Sequence, residues 1–177
     1  MKKVVVTSVL LLFSLVGGFC QSDEYNYCDN ILSKEVITAD DFNRLTATLF
    51  SMNYYLSDTV RMLYQRARQK AYEQGQSKQG AEIEIQMADM FYEIGLADSC
   101  LQYANRAAEL LKKIGEELAY ARSANIRRVA LTKNGNHLKA YKLCFEALDI
   151  FERYGDKVGQ AITNRDIGST KMLEEKY

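Results

Sequence analysis

Proline is absent from all 177 residues, where a usage of about 5% would place roughly nine. Its absence excludes proline-rich linkers and polyproline ligand segments, and it suits a chain built mostly of helix. Tryptophan is missing as well, and His137 is the single histidine, so the usual reagents of acid–base and nucleophilic catalysis are scarce. Lys and Arg together number 23, as do Asp and Glu. A formal charge of zero lacks the basic footprint of a nucleic-acid binder. There is no Cys-x-x-Cys, no phosphate-cradling glycine loop and no metal-ligand spacing. What is present, 47% hydrophobic and 26% charged residues, is the composition of an ordinary folded chain. The length allows one domain or a short repeat array.

Lys2 and Lys3 precede an apolar run from Val4 to Phe19. A helix of that length spans about 24 Å, short of a bilayer core of about 30 Å. A charged start, a short apolar middle and small residues at the end predict a secretory signal peptide over residues 1–20, cut after Gly18 or Cys20. Lipid attachment at Cys20 is disfavoured by Phe19, which stands where a lipoprotein signal peptidase takes a small residue. The expected location is the periplasm or cell envelope, with no membrane span after cleavage. Cleavage removes two positive charges and leaves a slight acidic excess. Residues 21–40 read as a polar N-terminal segment. Of the remaining cysteines, Cys100 and Cys144 fall at small-residue helix positions and read as buried hydrophobes. Cys28 is left with a disulfide to either one open.

A forty-residue period organises residues 41–177. Glycines recur at Gly75, Gly115 and Gly155, and a second set, Gly95 and Gly135, lies midway between them. Ala67, Ala107 and Ala147 keep the same step, as do Ala81, Ala121 and Ala161. A fixed period in this range marks an array built from one supersecondary unit. Between glycines the chain reads as amphipathic helix: Leu101, Ala104, Ala108 and Leu111 form one stripe, and Leu143, Ala147, Ile150 and Phe151 the next. Glycine at each break supplies the left-handed residue that ends a helix. The unit is therefore two antiparallel helices, turning at 95 and 135 within units and at 75, 115 and 155 between them. The first unit is degenerate, with Tyr55 in the turn and Val60 at the small-residue position. Asp40 is its expected helix N-cap, and Leu45, Leu49 and Met52 its apolar face. The stretch from Lys171 to Lys176 is polar enough to cap the array.

Gly135-Asn136-His137-Leu138-Lys139-Ala140 followed by Ala147 resembles the centre of a tetratricopeptide repeat (TPR), and Gly95, Cys100 and Ala107 repeat its spacing. Ile167-Gly168 resembles the Leu-Gly pair of a first helix; Arg127 and Arg128 replace that pair in the third unit, which predicts looser helix contact there. The resemblance implies an all-α fold, a right-handed α-α superhelix of about three and a half repeats, in the forty-residue variety found in peptide-binding adaptors and bacterial sensors. It also implies that first helices line a concave surface that meets an extended peptide. Carried over on Gly95 and Gly135, the groove positions are Glu82, Ile85, Gln86, Asp89, Tyr92 and Glu93, then Arg122, Asn125, Ile126, Val129 and Lys133. In the last helix they are Arg165, Asp166 and Ser169. Asn and Gln pair with peptide backbone, and Arg forks onto carboxylates. Glu82 and Asp89 stand where a carboxylate clamp has basic residues, which counts against that subclass.

From Gln79 to Asn105 every charge is acidic (Glu82, Glu84, Asp89, Glu93 and Asp98), and from Leu118 to Phe145 every charge is basic (Arg122, Arg127, Arg128, Lys133, Lys139 and Lys142). Consecutive first helices thus carry opposite signs, as a bipolar groove or as complementary stacking worth about 0–1 kcal/mol per exposed pair. Asp89 and Glu93, four apart, also have the spacing of an acid/base pair or a cation site, but a solvated face or a binding ridge is the expectation. The expectation is a non-enzymatic interaction module with no cofactor, metal or nucleic-acid ligand, whose partner is a protein or peptide. The alternative is an assembly component that self-associates through its terminal half-repeat, or the input domain of a membrane regulator.

Overall fold

The computed structural model describes residues 23–52 and 58–174, and among them it holds eight helices and no strand. They are α1 (23–32), α2 (Ala39–Met52), α3 (Asp58–Glu73), α4 (Ser77–Glu93), α5 (Ala97–Lys113), α6 (Glu117–Lys133), α7 (His137–Tyr154) and α8 (Lys157–Glu174). The protein is an all-α helical repeat array. It divides into two compact units between Ala67 and Arg68, inside α3. The expected signal peptide and the turn at Tyr55 lie outside the described residues.

In the first unit, the stretch read as a polar segment contains α1, which buries Cys28, Ile31 and Leu32, while Ile37 is buried in the connection after it. The expected face of α2 is present: Leu45, Leu49 and Met52 are buried, joined by Phe42. Its N-cap is Thr38 and not Asp40. The Thr38 hydroxyl accepts from the Asp41 N–H at 3.1 Å, and the Asp41 carboxylate accepts from the Thr38 N–H at 3.1 Å. This reciprocal pair satisfies two otherwise orphaned donors at once. Together with a hydrogen bond from Lys34, the foremost cause, it holds the Asp41 carboxyl down to about 2.

The second unit is built on one turn used five times. Gly75, Gly95, Gly115, Gly135 and Gly155 all have left-handed φ, between 67° and 81°. At Gly95 the glycine N–H donates to the Tyr92 carbonyl and the Leu96 N–H to the Phe91 carbonyl, both at 2.9 Å. The same two bonds recur at the other four glycines, so each helix ends in the same Schellman motif. The residue after each glycine then opens the next helix through its own carbonyl, which accepts from the N–H four residues on.

Successive helices pack against each other from α4 to α8, and direct contacts also join α4 to α6 and α6 to α8. Among the described residues no comparable contact joins α5 to α7. The closer spacing of α4, α6 and α8 makes theirs the inner layer of this unit. Of the expected stripes, Ala104, Ala108, Leu111, Leu143, Ala147, Ile150 and Phe151 are buried in the core, as are Cys100, Ala107 and Ala140, while Leu101 is half-buried against it. Each buried Leu, Ile or Phe contributes about 1.5–3 kcal/mol. Helix α6 has neighbours on several sides and buries mostly small residues, Ala121, Ser123, Ala124 and Ala130, around its circumference. At Arg127 and Arg128 the contacts are polar. Arg127 donates to Asn105 on α5 at 2.9 Å and Arg128 to Asn125 at 3.1 Å, so both guanidiniums are folded into polar contacts.

One charge is fully buried among these helices. Glu84 on α4, 1% exposed, accepts two hydrogen bonds from Arg106 on α5, at 2.6 and 2.9 Å, with Arg68 at 3.8 Å.

Candidate partner-binding groove

Helical spacing puts the α4 positions 82, 85, 86, 89, 92 and 93 on one stripe, and the α6 positions 122, 125, 126, 129 and 133 on its counterpart. The α4–α6–α8 layer carries both. On α4, Glu82, Ile85, Gln86, Asp89 and Tyr92 are half-buried and Glu93 is exposed. Ile85 packs against the apolar clusters on both sides of it. The Gln86 side-chain oxygen is buried without a hydrogen-bond donor. Burial, then the neighbouring Glu93, pushes the Asp89 carboxyl up to about 6. Burial also raises Glu82, against the opposing pull of Lys78.

On α6, Arg122 and Asn125 are exposed and Val129 half-buried. The Lys133 ammonium lies 5.2 Å from the centre of the Tyr92 ring. Ile126 is a correction: it is 6% exposed and belongs to the core with Ala88, Cys100, Ala104 and Ala130. A helix with neighbours on several sides buries residues that spacing alone assigns to its open face. On α8, Arg165 and Ser169 are exposed. Asp166 is 4% exposed and its carboxylate is engaged by Arg165 at 3.0 Å and Arg128 at 3.5 Å. Through Arg128 it joins α8 to α6.

The charge pattern resolves unevenly. Cations of α6 reach forward: Arg122 pairs at 3.0 Å with Asp156, the residue that opens α8, and Arg128 with Asp166. Behind them, Lys78 pairs with Glu116, the residue that opens α6, at 2.8 Å. Among the described residues no ion pair joins Glu82, Asp89 or Glu93 to a cation of α6. Ion pairs along the layer therefore engage Arg122 and Arg128 with α8; Glu82 feels the pull of Lys78 and Arg122, and Asp89 has the like charge of Glu93 beside it.

Two exposed apolar residues of α8 were not foreseen. Ile162 and Val158 on α8 are 40% and 70% exposed. Ile162 lies forty residues after Arg122 and eighty after Glu82, so extending the period by one step finds it. Both line a cavity of about 280 Å³ between α6, α7 and α8, floored by Ala121, Ala124, Ala147 and Phe151, with Arg122, Arg128, Asp156 and Asp166 also lining it.

The thiols of Cys28, Cys100 and Cys144 are free and buried. Burial pushes each of them up to about 11, far from the thiolate that reacts at neutral pH. Cys28 lies 4.0 Å from the Met52 sulfur. No group of His, Cys, Asp or Glu with the arrangement of a metal site occurs among the described residues.

No family model matches the sequence, and no curated protein is similar to it. Among solved structures the chain is similar to the crystal structure of BtubC (BKLC) from P. vanneervenii. The TM-score is 0.68 at 15% identity, over 92% of this chain and 68% of that one. At that identity the likeness speaks for the fold, a helical module, and for the fold alone. Among the described residues no helix is long and apolar enough to cross a membrane.

Proposed function

We propose that the chain is a TPR-like interaction module, exported to the cell envelope and without enzymatic activity, that holds a peptide or protein segment along the inner layer of α4, α6 and α8. The observation that carries this reading is the acidic ridge of Glu82, Asp89 and Glu93. Holding Asp89 half-buried beside Glu93 destabilises the fold, and no cation of the neighbouring helix offsets it. Residues kept at such a cost are the ordinary signature of a binding surface. Replacing all three acids with lysine should abolish capture of a partner by the intact chain and leave its helical circular dichroism unchanged. Capture that survives the substitution removes the acidic ridge as the site.

An assembly role has one observation in its favour. Ala161 and Gly168 on α8 are exposed, whereas Ala81 and Ala121, the counterparts of Ala161, are buried under the helix that follows them. A second copy packing there would give concentration-dependent self-association, read by sedimentation and lost on Ala161→Glu.

A further inference from the structure

Arg127 holds a position that the neighbouring repeats give to aliphatic side chains. Forty residues before it on α4 stands the fully buried Met87, and forty after it on α8 the half-buried Ile167. The guanidinium that replaces them is itself half-buried, and its partners are neutral. Its Nε donates to the Asn105 side-chain oxygen at 2.9 Å, and its central carbon lies 5.6 Å from the centre of the Tyr120 ring. Nη1 is buried with no acceptor among the described residues, and no carboxylate of those residues forms an ion pair with Arg127. A desolvated cation with an unmet donor calls for an anion. The bond from Nε also fixes the Asn105 amide: its oxygen is the accepting end, so its NH2 is left as a second donor.

Both residues line a cavity of about 300 Å³ between α5 and α6, with Ala108, Glu109, Lys112 and Tyr120. The charges on its wall are Arg127, Lys112 and Glu109. Lys112, with its side chain 69% exposed, lies 3.8 Å from Glu146, which lines the adjoining hollow and not this one. Glu109 is exposed and opposes an anion at the rim. Arg127 is thus the cation of this cavity that has no acid within ion-pair reach.

We propose that the cavity between α5 and α6 is a carboxylate-binding site, with Arg127 as the charge partner and the Asn105 amide as a second donor. The two oxygens of one carboxylate suit these two neighbouring donors, and its single charge matches the guanidinium. A phosphate group carries close to two charges at neutral pH and would bring the second toward Glu109. The ligand is a small organic acid or an acidic side chain of a peptide, which share the recognised group. None of the groove positions lines this cavity, so the site stands or falls apart from the groove.

The test is an NMR titration of the intact chain at constant ionic strength, reading the side-chain signals of the Arg127 Nε–H and the Asn105 NH2. The probes are acetate, N-acetyl-aspartyl amide, inorganic phosphate and the neutral acetamide. Acetate and the aspartyl compound should shift both signals saturably, and loss of the charge-assisted bonds should make acetamide weaker by about tenfold or more. Phosphate should bind more weakly than acetate. Arg127→Met, which copies Met87, should lose the acetate-dependent shift of the Asn105 NH2 while keeping its helical circular dichroism. Glu109→Gln should tighten acetate binding. Equal binding of acetate and the aspartyl compound assigns the site to a free acid, and clearly tighter binding of the aspartyl compound assigns it to a peptide; both uphold it. Absence of saturable shifts, acetamide binding as well as acetate, phosphate binding more tightly than acetate, or an unchanged acetate response in Arg127→Met would each overturn the proposal.

Discussion

The ammonium of Lys133 sits 5.2 Å from the centre of the Tyr92 ring, tying the last turn of α6 to the last turn of α4. A cation on the face of an aromatic ring is worth about 0.5–1 kcal/mol at an exposed site. The contact braces the two inner helices and engages the lysine with Tyr92. Asp89 and Glu93, on the same end of α4, form no ion pair with it. The acidity of this end of the groove is therefore a property of its geometry as well as of its composition.

Asp89 carries a pH dependence whose sign follows from this. Its carboxyl is raised to about 6 from an ordinary value of 3.8, chiefly by burial and then by Glu93. The folded chain thus holds the Asp89 proton more tightly than the unfolded chain does. That contribution is complete below pH 4 and is lost as the pH rises through 6, by about 3 kcal/mol at most. Asp89→Asn should flatten stability between pH 4 and 6 and make the protein more stable than the wild type at pH 7. Urea denaturation across that range checks both.

The buried Glu84 gives a contrast of two substitutions. Arg106→Ala leaves a carboxylate that is 1% exposed with Arg68 at 3.8 Å as its remaining ion-pair partner, and the expected loss is about 3 kcal/mol. Glu84→Gln removes the charge that needs the partner and keeps most of the shape, so the loss should be smaller, about 1 kcal/mol. Equal losses in chemical denaturation would contradict this account of the network.

Two glycines should fail for different reasons. Gly155 has φ 67° with open space where a Cβ would stand, so Gly155→Ala costs only backbone strain, about 1 kcal/mol. Gly159 lies within α8, and a Cβ there would collide with the Phe151 ring, which is 4% exposed. Gly159→Ala should destabilise by about 1–3 kcal/mol through overpacking. Because Phe151 floors the cavity, the NMR signals of Ala147 and Ile162 should shift in that variant and not in Gly155→Ala.

The architecture of the second unit was legible because its turns leave little chemical choice. Five left-handed residues at a fixed step call for glycine, and close helix contact calls for small residues such as Ala107 and Ala147, so both leave a period in the sequence. The helix start at Thr38 was harder to read. Thr38, Asp40 and Asp41 all lie within four residues, and only the Thr-x-x-Asp spacing of a reciprocal pair distinguishes the cap. Helix α1 was obscured because Cys28, Ile31 and Leu32 make a short apolar stripe amid polar neighbours. Within the groove, the open side of α4 followed from spacing, whereas Ile126 did not, because α6 is enclosed on several sides. The cavity was the least legible feature. It is a gap between three helices, which no residue type or spacing marks.

The central claim is that a partner lies on the α4–α6–α8 layer, and site-specific photo-cross-linking tests it most directly. Benzoylphenylalanine replaces Tyr92 in the groove in one variant and the exposed Phe145 on α7 in another, both aromatic positions that tolerate the probe's shape. Illumination in an envelope extract should join the Tyr92 variant to a discrete protein adduct, lost when Asp89 and Glu93 are also changed to lysine, and should give no such adduct from Phe145. A heterologous adduct formed through Phe145 and not through Tyr92, or adducts only between copies of the chain, would contradict the groove as the binding site.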